Sequence, residues 1–199
     1  MTRARTGDTG DEPVPQRLLR VATRLFAERG FEVTSVQQIV DEAGVTKGAM
    51  YHYFGSKDDL LSEIYGRVLR VQMARMEEAA NSTGPVWQRL HSVAADVVAT
   101  TVANLDDTVI FFRSMHLLHP DKQTEVRAER RRYHERVREL IAEGQRTGVF
   151  RDDKPADLVV DYFFGAVHHL GTWFNNEGEL SGERVGEHFA DLLLDSLRP

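Results

Sequence analysis

The chain has 199 residues and no cysteine; 41% of it is apolar and 28% charged, with 25 bases against 31 acids for a net charge of −6. Such a composition suits one large helical domain or a small domain joined to a medium one, and it excludes disulfides, thiolate metal sites and cysteine nucleophiles. The excess of acid argues against a protein that coats nucleic acid over its whole surface, and no run approaches the roughly 18 apolar residues of a membrane span, so no membrane partner is expected.

Residues 1–12 are polar, hold Gly7, Gly10, Asp8 and Asp11, and lack the apolar stretch of a secretory signal. The expectation is a disordered tail on a cytoplasmic protein. Leu18, Leu19, Ala22, Leu25 and Phe26 then recur at helical spacing, and Gly30 suits the left-handed position after a helix. Ser35-Val36-Gln37-Gln38 is a capping-box pattern opening a short helix whose stripe is Val36, Ile39, Val40 and Ala43, stopped by Gly44. Thr46 caps a third helix over 47–54. Ser56 caps a fourth, with Asp58 and Asp59 favoured in its first turn and Leu60, Leu61, Ile64, Tyr65, Val68, Leu69, Met73 and Met76 inward.

Residues 81–85 are a breaker cluster, and a fifth helix buries Trp87, Leu90, Val93, Ala94, Val97, Val98 and Val102. Residues 109–119 form a sixth, closed by Pro120. A long charged helix over 121–146 shows only the narrow stripe Val126, Tyr133, Val137, Leu140 and Ile141 before Gly148. Pro155 opens an eighth helix reaching about Phe174, and Val185, Phe189, Leu192, Leu193 and Leu197 mark a ninth. No segment alternates as a strand does, so the fold is all-α with about nine helices.

The stretch 34–57 is the most informative. Two short helices flank Gly44-Val45-Thr46, the spacing of a helix-turn-helix, in which the first helix braces and the second enters the DNA major groove. Gly48 inside the second helix costs about 1 kcal/mol relative to Ala, which a close approach to another molecule would explain. Tyr51, His52 and Tyr53 fan round the helix and cannot all be core, and their polar tips suit phosphates and base edges. Lys57 places charge where a phosphate would lie. Residues 14–57 carry six bases against four acids, the sign a DNA-binding segment needs. A plain helical hairpin with packing aromatics remains the alternative.

The run Leu25-Phe26-Ala27-Glu28-Arg29-Gly30-Phe31, then Thr34-Ser35-Val36, then Ile39 to Leu60 resembles the signature of TetR-family repressors. The resemblance implies an N-terminal three-helix DNA-binding domain over 13–57 and a larger helical ligand-binding and dimerisation domain over 58–199. It implies a homodimer on double-stranded DNA with a palindromic operator, released by a small-molecule effector. Thr34 and Lys57 would touch the DNA backbone; Thr46, Lys47, Gly48 and Ala49 would lie near bases; Tyr51 and Tyr53 would clamp phosphates, with His52 close to the groove. Phe26, Ile39 and Phe54 would be core.

The eighth helix is apolar nearly all round and must be buried on more than one side. With the excess apolar surface of the ninth it predicts a four-helix dimer interface through Tyr162, Ala166, His169, Phe174, Phe189 and Leu193. The alternative is that both helices are central in a monomer. Candidate pocket residues are Trp87, Val97, Phe111, Phe112, Met115, His116, Tyr133, Leu140, Phe164, Val167, His168 and Trp173, a chemistry shared by ligand cavities and ordinary cores. Residues 173–181 with Val185 and Phe189 are similar to the end of a TetR subgroup that senses acyl-CoA thioesters. Arg127, Arg130, Arg131, Arg132, Arg136 and Arg138 on the long helix would then face a CoA phosphate, or else form a solvated face laced with Glu129, Glu135 and Glu139.

An enzyme reading finds little support. His116 and His119 lie at i, i+3 with Asp121 nearby but in no Glu-x-x-His or His-Glu-x-x-His motif, His168 and His169 point apart, and no phosphate loop or nucleophile elbow occurs. Neither a cofactor nor a metal is expected. A regulator, or a helical ligand-binding or interaction protein without DNA affinity, are the two readings left.

Overall fold

The computed structural model describes residues 12–199, so the expectation of a disordered tail over 1–12 lies outside the described residues except at Glu12. Among them the fold is all-helical, and the first three helices form a small head. Helix α1 (Val14–Arg29) buries Leu18, Leu19, Ala22, Leu25 and Phe26 and ends at Gly30, whose φ of 91° a side chain would resist. Helix α2 (Val36–Ala43) opens on the expected capping box: the Gln38 backbone N–H donates to Ser35 Oγ at 3.2 Å and the Ser35 N–H to Gln38 Oε1 at 2.8 Å. Gly44 turns the chain at φ 63°, and α3 (Lys47–Tyr53) starts on Thr46, whose Oγ1 accepts from the Ala49 N–H at 3.1 Å.

The body begins with α4 (Lys57–Ala80), capped by Ser56, followed by α5 (Val86–Ala103), α6 (Leu105–Ser114) and a short 3₁₀ turn at Met115–Leu117. Then come α7 (Pro120–Arg146), α8 (Ala156–His168), α9 (Leu170–Trp173) and α10 (Gly182–Leu197). One core runs from head to body through α1, α4 and α6. Inside the body α4 is tied to α5 by Gln72, which donates to the Val97 carbonyl and to Thr101 Oγ1 at 3.0 Å. Helices α5 and α10 make the tightest pair: a Cβ on Gly186 would run into the Ala95 carbonyl, so only glycine permits this approach.

Two elements differ from the periodicity. Helix α6 starts at Leu105 rather than Val109, because Asp106 and Asp107 occupy its first turn, where the helix dipole favours acid and an apolar pattern shows nothing. The helix expected over 155–174 is broken at His169, whose N–H bonds back to the Ala166 carbonyl. Helix α9 is thereby pressed against α6, where a Cβ on Gly171 would collide with the Val109 side chain. None of the described helices is long and apolar enough to cross a membrane.

Candidate functional site

Helix α3 hangs on the head by one buried side chain. Met50 is fully enclosed, and Phe26, Ile39 and Phe54 behind it are core. The remaining face is turned out: Thr46, Lys47, Gly48 and His52 are exposed, Ala49 is partly so, and Tyr51 and Tyr53 stand 52% and 49% open. An added Cβ on Gly48 would meet nothing closer than Thr46 Oγ1 at 3.7 Å, so no neighbour within the chain requires glycine there. Lys47 makes no ion pair among the described residues, while the nearby acid Glu42 is held by Arg24. The result is a short, open face of one free ammonium, two phenols and an imidazole, suited to phosphates and base edges.

Two residues expected on that face are not on it. Thr34 is 0% exposed, and its hydroxyl donates to the Gly30 carbonyl at 2.8 Å, so its side chain braces the loop after α1 and is turned inward. Lys57 folds back over the same loop. Its Nζ donates to the carbonyls of Phe31 at 2.7 Å, Thr34 at 3.0 Å and Glu32 at 3.3 Å, and lies 4.3 Å from the Phe31 ring centre. Partial burial lowers its pKa from the usual lysine value. Its charge is spent on loop carbonyls rather than offered outward.

Head and body are joined at the start of α4. The His119 backbone N–H donates to Asp58 Oδ2 at 2.8 Å, and Lys122 of α7 pairs with Asp59 at 3.1 Å. Arg67 of α4 pairs with Asp107 of α6 at 3.5 Å. A cleft of about 620 Å³ lies beside these links, walled by Gln16 of α1, Tyr53, and Lys122 and Glu125 of α7.

Within the body, part of the expected pocket set comes together. Tyr65 stacks on Phe111 with ring centres 3.9 Å apart, and Phe112 touches both edge-on. His168 lies 4.6 Å from Phe112, Phe164 stacks on His134 at 3.9 Å, and Tyr133 tilts against Phe164 at 5.5 Å. Phe111, Tyr133, Phe164 and Val167 are buried, with Leu140 and Val97 behind them; Phe112, Met115 and His168 are half-buried. Trp87, His116 and Trp173 are not part of this cluster. Trp87 is 45% exposed on the outside of α5, His116 sits exposed in the 3₁₀ turn, and Trp173 stacks on Phe189 at the surface. Size alone favours the interior for Trp87 and Trp173, yet each lies on the outer side of a helix whose inner side is already filled.

Two members of the cluster escape the sequence reading of the pocket, Tyr65 and His134, and they are joined by Arg130, expected only as one of six cations facing a phosphate. Arg130, Tyr133, His134 and Val137 stand at i, i+3, i+4 and i+7, so the spacing holds the signal, masked by the arginine-rich surroundings. Burial and the adjacent Arg130 guanidinium push the His134 pKa down to about 4 and that of His168 down to about 3, leaving both neutral at neutral pH. A groove of about 350 Å³ between α7 and α8, lined by Arg127, Arg130, Arg131, His134, Val160 and Asp161 among others, opens beside them.

On the outer side, α8 shows Leu158 at 59% and Tyr162 at 65% exposure, with Gly165, Ala166 and His169 continuing the same face. Helix α10 adds Leu192 at 62% and half-buried Phe189, and Phe174 lies half-buried beside Trp173. Leu193, expected on this face, is instead 1% exposed in the subunit's own core; the outward leucine is its neighbour.

Comparison with known proteins gives two family matches along the chain. Residues 18–64 match the family described as bacterial regulatory proteins, tetR family, and residues 83–197 match the tetracyclin repressor-like C-terminal domain. The HTH-type transcriptional repressor KstR2 of Mycobacterium tuberculosis is 25% identical over 181 residues, 90% of each chain. The HTH-type transcriptional repressor DhaR of Mycobacterium sp. (strain GP1) is 31% identical over 162 residues, 77% of this chain and 78% of its own. The crystal structure of the TetR family transcriptional regulator PfmR from Thermus thermophilus matches with a TM-score of 0.82 at 29% identity, covering 92% of this chain and 100% of that one.

Proposed function

The chain belongs to the TetR family of DNA-binding transcriptional regulators, and from that premise we propose that it is a cytoplasmic homodimeric repressor, released from a palindromic operator by a small apolar effector. The observation that carries the reading is the open face of α3, where Lys47, Tyr51, His52 and Tyr53 are exposed around a single buried anchor, Met50. Residues 13–57 serve as the DNA-binding head and 58–199 as the effector and dimerisation body. Dimerisation through α8 and α10 covers Leu158, Tyr162 and Leu192, large apolar side chains that a lone subunit would leave in water. Pairing two heads sets their reading helices about one DNA turn apart, roughly 34–36 Å, which is what a palindrome requires.

The effector site in this reading is the ring cluster of α4, α6, α7 and α8. Its aromatic walls favour an apolar body, and an acyl-CoA thioester is one member of that class, with the similarity of residues 173–189 in its favour. The effector acts by preferring one arrangement of α4 and α7, the two helices linked at Asp58, Asp59, His119 and Lys122.

Selection of genomic fragments by the purified protein, followed by footprinting, tests the proposal. Two protected half-sites about one helical turn apart are expected. Lys47→Ala combined with Tyr51→Ala should lower operator affinity by roughly a hundredfold or more while leaving the helical content and the dimer unchanged. A double variant that binds the selected fragments as the wild type does overturns the assignment.

A further inference from the structure

We propose that Arg130 anchors a carboxylate, so that the effector is a free acid on an apolar body, its acidic end held at the inner side of the α7–α8 groove. The proposal rests on the effector reading above and narrows it to one chemical class.

Among the arginines of α7, Arg136 is paired with Glu77 and Glu139, and Arg138 with Glu135 and Asp157, while Arg127, Arg131, Arg132 and Arg146 make no ion pair among the described residues but are exposed to water. Arg130 makes no ion pair among the described residues. Its guanidinium lies 4.8 Å from the centre of the Phe112 ring, one terminal nitrogen faces His168 Nε2 at 3.2 Å, and the Tyr65 hydroxyl is a further neighbour. His134 and His168 are neutral at neutral pH and do not balance its charge. A half-buried cation with no carboxylate at ion-pair distance is costly, and an anion held against it lowers that cost.

The orphan atoms point to the same chemistry. Arg130 Nε is buried with no hydrogen-bond partner, and so is the hydroxyl of Tyr133, three residues on along the same helix face. The arginine nitrogen can only donate and the phenol donates readily, so the complement is a group that accepts, and an ionised carboxylate is acceptor-only. A planar carboxylate also matches the fork of a guanidinium. Esters and thioesters bring no charge to this point. The groove mouth is of mixed charge, with Glu135, Asp157 and Asp161 beside Arg127, Arg131 and Arg138, so Arg130 is distinguished by its depth and not by sign alone. His134, backed by its stacked partner Phe164, and Val160 line the groove and supply the apolar contact for the rest of the acid.

The test uses matched pairs that differ only in the head group: decanoate against decanol, and hydrocinnamate against hydrocinnamyl alcohol. Binding to the full-length protein is followed by calorimetry, and release of the selected operator by fluorescence anisotropy, for the wild type, Arg130→Met and Arg130→Lys. The acid of at least one pair should bind the wild type roughly tenfold or more tightly than its alcohol, with the preference falling to within about twofold in Arg130→Met. Without ligand, Arg130→Met should melt no lower than the wild type, because it removes an uncompensated charge; Arg130→Lys, which keeps the charge but not the fork, should retain part of the preference. No acid preference in either pair, a preference that survives Arg130→Met, or a large fall in melting temperature of that variant overturns the proposal. Operator binding by the ligand-free wild type is read separately. If it holds, and decanoyl-CoA releases the operator while neither acid does, the regulator reading stands and the carboxylate assignment falls.

Discussion

Lys47 and Lys57 look alike in the sequence, each the first helical residue after a hydroxyl cap, yet folding gives them opposite tasks. Lys47 stands free in front of α3, whereas Lys57 donates to three carbonyls of the loop after α1. The difference lies in what each helix start happens to face, which no local pattern records. Lys57→Met should therefore cost about 0.5–1.5 kcal/mol in urea unfolding, since it removes hydrogen bonds to three partly exposed carbonyls, and weaken DNA binding only through a loosened head. Lys47→Ala should leave stability within about 0.5 kcal/mol and lose DNA affinity instead. Paired unfolding and DNA-binding curves check both; equal stability losses in the two variants would return Lys57 to the DNA face. Thr34 carries the same lesson, because a threonine beside a glycine-ended helix reads as surface until its hydroxyl is seen capping the Gly30 carbonyl. The exposed set on α3 was legible because Gly48 and three consecutive polar-tipped rings are hard to explain as core.

At the scale of elements, periodicity located the helices because their buried faces are long, and caps at Ser35, Thr46 and Ser56 set several starts. It failed where the determinant was non-local. The break at His169 is set by α9 docking on α6 through Gly171, and an apolar run cannot show where it is bent. The faces of α10 were blurred for a related reason: Leu192, Leu193 and Leu194 are consecutive, and only the packing of α5 decides which of them turns inward. Leu193→Ala should cost about 2–5 kcal/mol in unfolding. Leu192→Asp should leave the subunit folded and shift it from dimer to monomer in sedimentation, with operator binding lost alongside. A fully dimeric Leu192→Asp protein would place the pairing surface elsewhere.

Across the whole molecule, the reading helix and the ring cluster are separate, and the link between them runs through α4 and α7. Lys122 pairs with Asp59 only six residues beyond the end of α3, and the same α7 carries Arg130, Tyr133 and His134 two to three turns further on. The pair is partly exposed, so its contribution is modest, roughly 0.5–1 kcal/mol. Lys122→Ala should then raise amide hydrogen exchange in the first turn of α4 by about two- to fivefold and leave exchange around Val137 to Ile141 unchanged. Unaltered exchange at both places would remove this pair from the connection.

The far end of α7 is firmly seated. Val137, Leu140 and Ile141 are buried, Arg89 grips Glu143, and Phe150 lies so close to Gly144 that no side chain fits between them. From Gly144 to Lys122 the rod is about 33 Å long at 1.5 Å per residue. A lever of that length, pivoting at its seated end, turns a tilt of about 5° into roughly 3 Å of travel at its tip. Wedging the rings apart by a small angle is thus enough to carry Lys122 a full bond length clear of Asp59, so a slight deformation deep in the body is magnified where the head is fastened.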